Sequence, residues 1–287
     1  AAMTPSARRE IAFEAAAAGT TRSDCDIILD LRGGTPVFNA PDKRDGYFNP
    51  DPGDPAAVAN ALFDIVELVG EFEKPRYVEY DETICAHGRN GIVGCTRCQD
   101  ICPAGAITPD GDKVAIDPQI CAGCGGCAGV CPTGAVSYAM PRNDALLQRM
   151  RTLLQSFAAG GGKHPVLLFH DGDFGDEMIA TMARYYDGLP ANMLPVAVNA
   201  LGQCSLDILL AARVYGAGKS LLLASSRDAE ELVGLEEAIS LSNEIVAALG
   251  YHDGQVELIL EADPEAANAR LWAAVRDVAV GPKTAAF

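Results

Sequence analysis

The chain has 287 residues, 49% hydrophobic and 6% aromatic, a composition that suits a globular protein with room for two domains and a sizeable core. No apolar run approaches the length of a membrane span. A formal charge of −17 opposes any polyanion, which argues against a nucleic-acid partner and for a surface that serves solubility or docks on a basic patch.

The N-terminal stretch "SARREIAFEAAAAG" carries an arginine pair, as a twin-arginine export signal would. Glu10 and Glu14 interrupt the hydrophobic core such a signal needs, so residues 7–18 are expected to form an amphipathic helix instead. Without an export signal, ten cysteines point to metal rather than disulfides and to a reducing, cytoplasmic setting. "CDIILDL" (25–31) is expected as a short strand and "PDKRDGYFNPDPGDP" (41–55) as loop. Asp54-Pro55 opens a helix over "AAVANALFDIVELVG", whose apolar residues recur three and four apart and which Gly70 stops. Residues 1–78 look too thin for an independent domain; they pack on the rest or belong to a longer chain.

Residues 79–141 hold eight of the ten cysteines. The run "CAGCGGCAGVCPTGA" (121–135) is C-x2-C-x2-C-x3-C-P, the spacing by which thiolates hold a cubane iron–sulfur cluster and whose fourth cysteine usually serves a different cluster. Its ending recurs upstream: "CTRCQDICPAGAI" (95–107) matches "CGGCAGVCPTGAV" (124–136) as C-x2-C-x3-C-P-x-G-A followed by a β-branched residue. The Cys-Pro endings argue against zinc. Between the two runs, "AITPDGDKVAID" reads as a hairpin turning at "PDGD". Each cubane iron needs one outside thiolate. A loop of small residues can wrap three thiolates round a cube, proline ends the short turn that follows, and Gly105 or Gly134 lets the chain pass close by.

This internal repeat resembles the two-cluster bacterial ferredoxin domain over roughly sixty residues. The resemblance implies two [4Fe-4S] clusters. One is held by Cys121, Cys124 and Cys127 and completed by Cys102; the other by Cys95, Cys98, Cys131 and one residue upstream. The family places that last ligand two residues before the next cysteine, whereas here "AHGRNGIVG" separates Cys85 from Cys95. Cys85, with its insertion looped out, is the expected ligand. His87 is the alternative, its simpler reading being a loop histidine that tunes potential or carries protons. Cys25 and Cys204 are expected as buried free thiols. Both clusters would be low-potential one-electron carriers, close enough to exchange electrons.

From about residue 142 strands and helices alternate. "PVLLF", "MLPVAV", "KSLLLAS" and "VELILEA" are expected strands, with helices near 176–187, 205–216, 228–249 and 264–278, which predicts a parallel sheet covered by helices. The expected class is therefore α/β plus α+β, a ferredoxin-like dicluster domain (79–141) joined to a parallel-sheet α/β domain (142–287). This second half carries neither G-x-G-x-x-G nor a Walker loop. "GAGKS" (216–220) lacks the first glycine and precedes a strand. The acids of "HDGDFGDEM" (170–178) read as the N-terminal capping of a helix, though a divalent cation is conceivable there. "NALGQCSLD" (199–207) sits at a strand-to-helix turn, and this half faintly resembles the small iron–sulfur delta subunit of methanogen-type hydrogenases without its extra cysteines.

The segments "EFEKPRYVEYD", "CAH", "GCTRCQDICPAGAI", "CAGCGGCAGVCPTGA" and "GLPA" together resemble long ferredoxin-like proteins of proteobacteria that often accompany molybdenum formate dehydrogenases. That resemblance implies an electron-transfer or accessory role beside a redox partner protein of the formate dehydrogenase type, without nucleic acid or membrane. Whether the chain is itself a catalyst stays open, a carrier or accessory subunit being favoured. The alternatives are a cluster-fed oxidoreductase subunit with a site in the α/β half and a metalloenzyme maturation factor.

Overall fold

A computed structural model describes residues 25–36, 46–68, 70, 74–89, 92–225, 232–251, 256–276 and 278. The chain falls into two units, Ala1–Glu73 and Lys74–Phe287. The expected helix at 7–18 lies outside the described residues.

In the first unit, strand β1 (Ile28–Leu29) pairs in parallel with β2 (Tyr47–Phe48), inside the segment expected as loop. Tyr47 explains the difference: its ring is buried and its hydroxyl donates to Asp30 at 2.8 Å. Arg32 grips the same carboxylate through Nε and Nη2, both at 2.8 Å. These partners hold the Asp30 carboxyl well below the usual carboxylate range, the Arg32 hydrogen bond contributing most. Cys25 is exposed, contrary to expectation, because it precedes the half-buried Ile27–Leu29 run that supplies the packing. Helix α1 (Pro55–Glu67) starts as expected, with Asp54 accepting from Ala56 N at 2.9 Å and Ala57 N at 3.2 Å. It stops ahead of Gly70 because the Leu68 N–H turns back to Ile65 O at 3.2 Å.

The second unit begins with β3 (Val78–Tyr80) and the two-stranded ribbon β4 (Gly88–Arg89) and β5 (Ile92–Val93). Then come α2 (Arg97–Asp100), the hairpin β6 (Ile107–Asp110) and β7 (Lys113–Ile116), α3 (Gly126–Gly129) and β8 (Val136–Tyr138). The hairpin forms as expected, and its turn is closed by Asp110 opposite Lys113. β3 and β8 pair antiparallel, Val78 opposite Tyr138, and so close the cysteine-bearing segment at its two ends.

Helix α4 (Asn143–Ala159) follows, an element absent from the sequence reading although Leu146, Met150 and Leu154 recur every fourth residue and are all buried. The alternating part comes next: β9 (Val166–His170), α5 (Phe174–Tyr185), β10 (Met193–Ala197), a 3₁₀ turn (Leu201–Gln203) and α6 (Leu206–Val214). It ends with β11 (Lys219–Ala224), α7 (Val233–Ala248), β12 (Val256–Leu260) and α8 (Pro264–Ala274). The four strands form one parallel sheet in the order β10-β9-β11-β12, as the alternation predicts. Successive side chains of a strand face opposite ways. Leu167 and Phe169 therefore pack with Leu146, Met150, Ile208 and Leu235 on one face. Val166 and Leu168 pack with Met178, Met182, Ile259 and Leu271 on the other. Each fully buried side chain of this kind contributes about 1.5–3 kcal/mol, so both faces need their helices. The class is mixed α/β and α+β. Among the described residues no helix is long and apolar enough to cross a membrane.

Candidate metal centre

The two cysteine runs fold alike. Cys98 lies on the single turn of α2 and Cys127 on that of α3, and both are buried. Cys102 N bonds Gln99 O at 3.3 Å, and Cys131 N bonds Ala128 O at 3.3 Å. The turn after each Cys-Pro closes by Gly105 N to Cys102 O at 3.2 Å and Gly134 N to Cys131 O at 3.4 Å. Gly105 and Gly134 take φ of 63° and 69°, and a Cβ on either would meet no protein atom within 4 Å. Their requirement is therefore conformational, a left-handed turn after Cys-Pro-x. Backbone N–H groups point at sulfur in both halves: Ala106 N to Cys102 Sγ at 3.3 Å and Val136 N to Cys131 Sγ at 3.4 Å.

Four sulfurs converge on one hollow. Cys102, Cys121, Cys124 and Cys127 line it with Gly123, Gly125, three alanines, Val78, Ile107 and Ile116, so the only functional side chains in its apolar wall are thiols. Burial pushes the Cys127 thiol up to about 12, and the Cys124, Cys121 and Cys102 sulfurs add to that effect. A second set gathers round Cys98. Burial pushes that thiol up to about 11, with Cys131, Cys95 and Cys85 adding to it. Cys131 itself is buried enough to be raised, but N–H donors from Val136, Thr133 and Ala135 and the Thr133 hydroxyl outweigh burial and lower it. Four thiolates crowded into an apolar site repel one another, so a positively charged group that ligates sulfur is what makes each set tolerable.

The spacing of the thiols is not that of a single ion. Among the described residues no three His, Cys, Asp or Glu side chains converge as one metal ion requires. A cubane is ligated at four separate irons, which stand its thiolates a cluster's width apart. Small lining residues, soft donors and N–H groups directed at sulfur all suit such a group.

The insertion between Cys85 and Cys95 is closed by His87. Its carbonyl accepts Gly94 N at 2.6 Å and Cys95 N at 3.3 Å, its own N–H reaches Cys85 Sγ at 3.4 Å, and its Nδ1 lies 2.8 Å from Cys95 O. Gln99 Nε2 stands 3.1 Å from the same nitrogen. The ring is 3% exposed, and its Nε2 has no hydrogen-bond partner among the described residues. Burial and the Cys85 thiol beside it push the Tyr80 hydroxyl up to about 12. The sulfur of Cys85 thus joins the set round Cys98, while one nitrogen of His87 is turned to the Cys95 backbone.

The α/β part reaches the centre through a junction that sequence reasoning missed. The Tyr138 hydroxyl donates to Gly123 O at 2.5 Å and accepts from Asn199 Nδ2 at 2.8 Å. A Cβ on Gly125 would lie 2.6 Å from Gln203 N, and one on Gly129 would lie 2.6 Å from Gly202 O. A Cβ on Gly202 would strike Cys124 O. Backbone therefore packs on backbone, and "NALGQCSLD" serves as the seat of the α3 loop. Gly125, Gly129 and Gly202 were the available signal, but nothing local links residue 125 to residue 202. Cys204, the other remote cysteine, is fully buried, and burial raises its thiol far above the ordinary value. At "HDGDFGDEM", Asp171 Oδ1 accepts Gly175 N at 2.8 Å and Asp173 N at 3.1 Å. His170, 4% exposed, lies 3.2 Å from Asp176 Oδ1. Lys219 of "GAGKS" pairs with Glu257 at 2.8 Å as a strand-entrance lysine.

A family model described as the 4Fe-4S dicluster domain matches residues 92–135. The match takes in Cys95, Cys98, Cys102, Cys121, Cys124, Cys127 and Cys131 and begins after Cys85. No curated protein matches the chain. The matched segment is an iron–sulfur, ferredoxin-like one that binds 4Fe-4S.

Proposed function

We propose that the protein is an electron carrier with two [4Fe-4S] clusters. One would be bound by Cys85, Cys95, Cys98 and Cys131, the other by Cys102, Cys121, Cys124 and Cys127. The observation that carries this reading is the division of eight thiols into two sets of four, each assembled from both halves of the repeat. When bound, each cluster supplies reversible one-electron chemistry. The chain's own residues do the rest: the thiolates fix the irons, the N–H groups of Ala106 and Val136 soften charge on sulfur, and the apolar wall of Val78, Ile107 and Ile116 keeps water away. His87 holds the Cys85–Cys95 insertion closed, and Cys85 is the ligand. The electron would pass to a redox partner, for which an oxidoreductase of the formate dehydrogenase type is the candidate, and the cytoplasm is the proposed setting.

Anaerobic reconstitution tests this. A carrier should bind about eight irons per chain, two cubanes of four. It should show the interacting EPR signals of two nearby reduced clusters and keep its iron through repeated redox cycles. Loss of clusters to an apo-acceptor on mixing would instead favour a maturation factor, and about four irons would leave one thiol set without a cluster.

A further inference from the structure

Resting on the two-cluster reading above, we propose that Asn199 and Tyr138 are positioning residues that raise the reduction potential of the cluster held by Cys102, Cys121, Cys124 and Cys127. They act through the peptide that joins Gly123 to Cys124. Asn199 Nδ2 donates to the Tyr138 hydroxyl at 2.8 Å, and that hydroxyl donates to Gly123 O at 2.5 Å. In a trans peptide the C=O and N–H point opposite ways. The row therefore runs on, head to tail, to the N–H of Cys124, itself a ligand. Each donor turns its positive end toward that residue. Hydrogen bonds in a chain polarise one another, and positive charge gathered at the loop favours the reduced cluster, which carries one more electron than the oxidised one.

The surroundings hold the row in place. Tyr138 is 1% exposed. Burial raises its hydroxyl far above the ordinary value, the Cys124 and Cys121 sulfurs adding to that against the Asn199 bond, so the group stays protonated and remains a donor. Gly123 takes a φ of 79°, and a Cβ on it would lie 2.7 Å from Tyr77 Cγ, so the Tyr77 ring packs directly on the Gly123 backbone. Tyr77 O in turn accepts Ala139 N at 2.8 Å, which ties that ring to the strand of Tyr138. The row belongs to one half of the repeat. In the other half Gly94 stands where Gly123 does, and Pro109, which has no hydroxyl, stands where Tyr138 does. At its far end Asn199 follows β10, next to Val198, whose N–H bonds His170 O at 2.9 Å. The row thus starts at the carboxyl edge of the parallel sheet, and through it the α/β part acts on one cluster of the pair.

The test is an EPR-monitored dithionite titration of the reconstituted full chain, in which one electron enters one oxidised cluster. Cys98→Ser removes the other cluster, so the midpoint it keeps belongs to the cluster at Cys124. Tyr138→Phe keeps the packed ring and removes the hydroxyl. With iron content matched to the unaltered chain, its Cys124 cluster should show about a tenfold lower ratio of reduced to oxidised form at a fixed potential, a midpoint about 59 mV lower for one electron. The other cluster's ratio should stay within about twofold. Asn199→Ala should lower the same ratio by about threefold, and should add nothing in the Tyr138→Phe background, because the two side chains act as one unit. Side chains that only pack would change Tm and leave both midpoints in place. If Tyr138→Phe does not take up its clusters, Asn199→Ala decides alone: a lowered midpoint supports the row and an unchanged one refutes it. Unchanged midpoints, a rise at the Cys124 cluster, equal falls at both clusters, or failure of both variants to load would overturn the proposal and leave the two-cluster reading standing. About four irons in the unaltered chain would overturn that reading, and the proposal with it.

Discussion

Cys131 lies four residues from Cys127, yet the two thiols face different neighbours: Cys127 has Cys102, Cys121 and Cys124 round it, and Cys131 stands with Cys85 and Cys95 beside Cys98. One helical turn carries the chain from one set to the other. Cys131→Ser should therefore damage the same cluster as Cys98→Ser, thirty-odd residues upstream, while Cys127→Ser damages the cluster that Cys102 completes. EPR of the reduced variants with iron counts reads the difference, and identical losses from Cys127→Ser and Cys131→Ser would mean that each run holds its own cube. A second residue-level outcome concerns Asp30, whose carboxyl is held low by Arg32 and Tyr47. A carboxylate with a lowered folded pKa stabilises above its unfolded value of about 3.9 and loses that contribution as pH falls below it. Asp30→Asn should accordingly speed amide exchange at Ile28 and Asp30 at pH 6. The gap from the unaltered chain should then shrink as pH is lowered through 4 toward 2; a gap that widens in acid would refute the assignment.

At the scale of elements, the α3 loop and the 3₁₀ turn at Leu201–Gln203 meet through backbone alone, so a single methyl group is the sharpest probe. Gly202→Ala sets a Cβ against Cys124 O, an overpacking that costs about 1–3 kcal/mol. Thermal unfolding should move down by several degrees, roughly 2–4 °C per kcal/mol for a chain of this size. The EPR signal of the cluster at Cys124 should change with it. Gly172→Ala is the control, since a Cβ there meets nothing within 4 Å and its Tm should stay within about 1 °C. Equal Tm values for the two variants would show that the loop can move away from its seat at little cost.

For the whole molecule, the net charge of −17 acts on approach rather than on the docked contact. The Debye length shrinks from about 30 Å at 0.01 M salt to about 8 Å at 0.15 M. The bimolecular rate with a basic acceptor such as cytochrome c should therefore fall steeply over that range, while the step inside the docked pair stays level. A rate indifferent to salt would assign the acidic surface to solubility.

What was legible in the sequence is what rests on local spacing. Three thiols two residues apart, a proline after the fourth, and the same ending thirty residues upstream define a cluster-binding loop wherever the chain goes. Apolar runs of strand length alternating with amphipathic helices define a parallel sheet, because only helices can cover both faces of strands such as Val166–His170. The tertiary structure decided what depends on contacts between distant residues. No spacing rule leads from Cys85 across nine residues to Cys95; the carbonyl and ring of His87 close that gap. Tyr47 pairs as a strand because Asp30 waits beneath it. Gly202 seats the α3 loop because no side chain intervenes on either backbone. Such contacts carry no period and no motif, since their energy is realised only when two surfaces formed elsewhere in the chain are brought together.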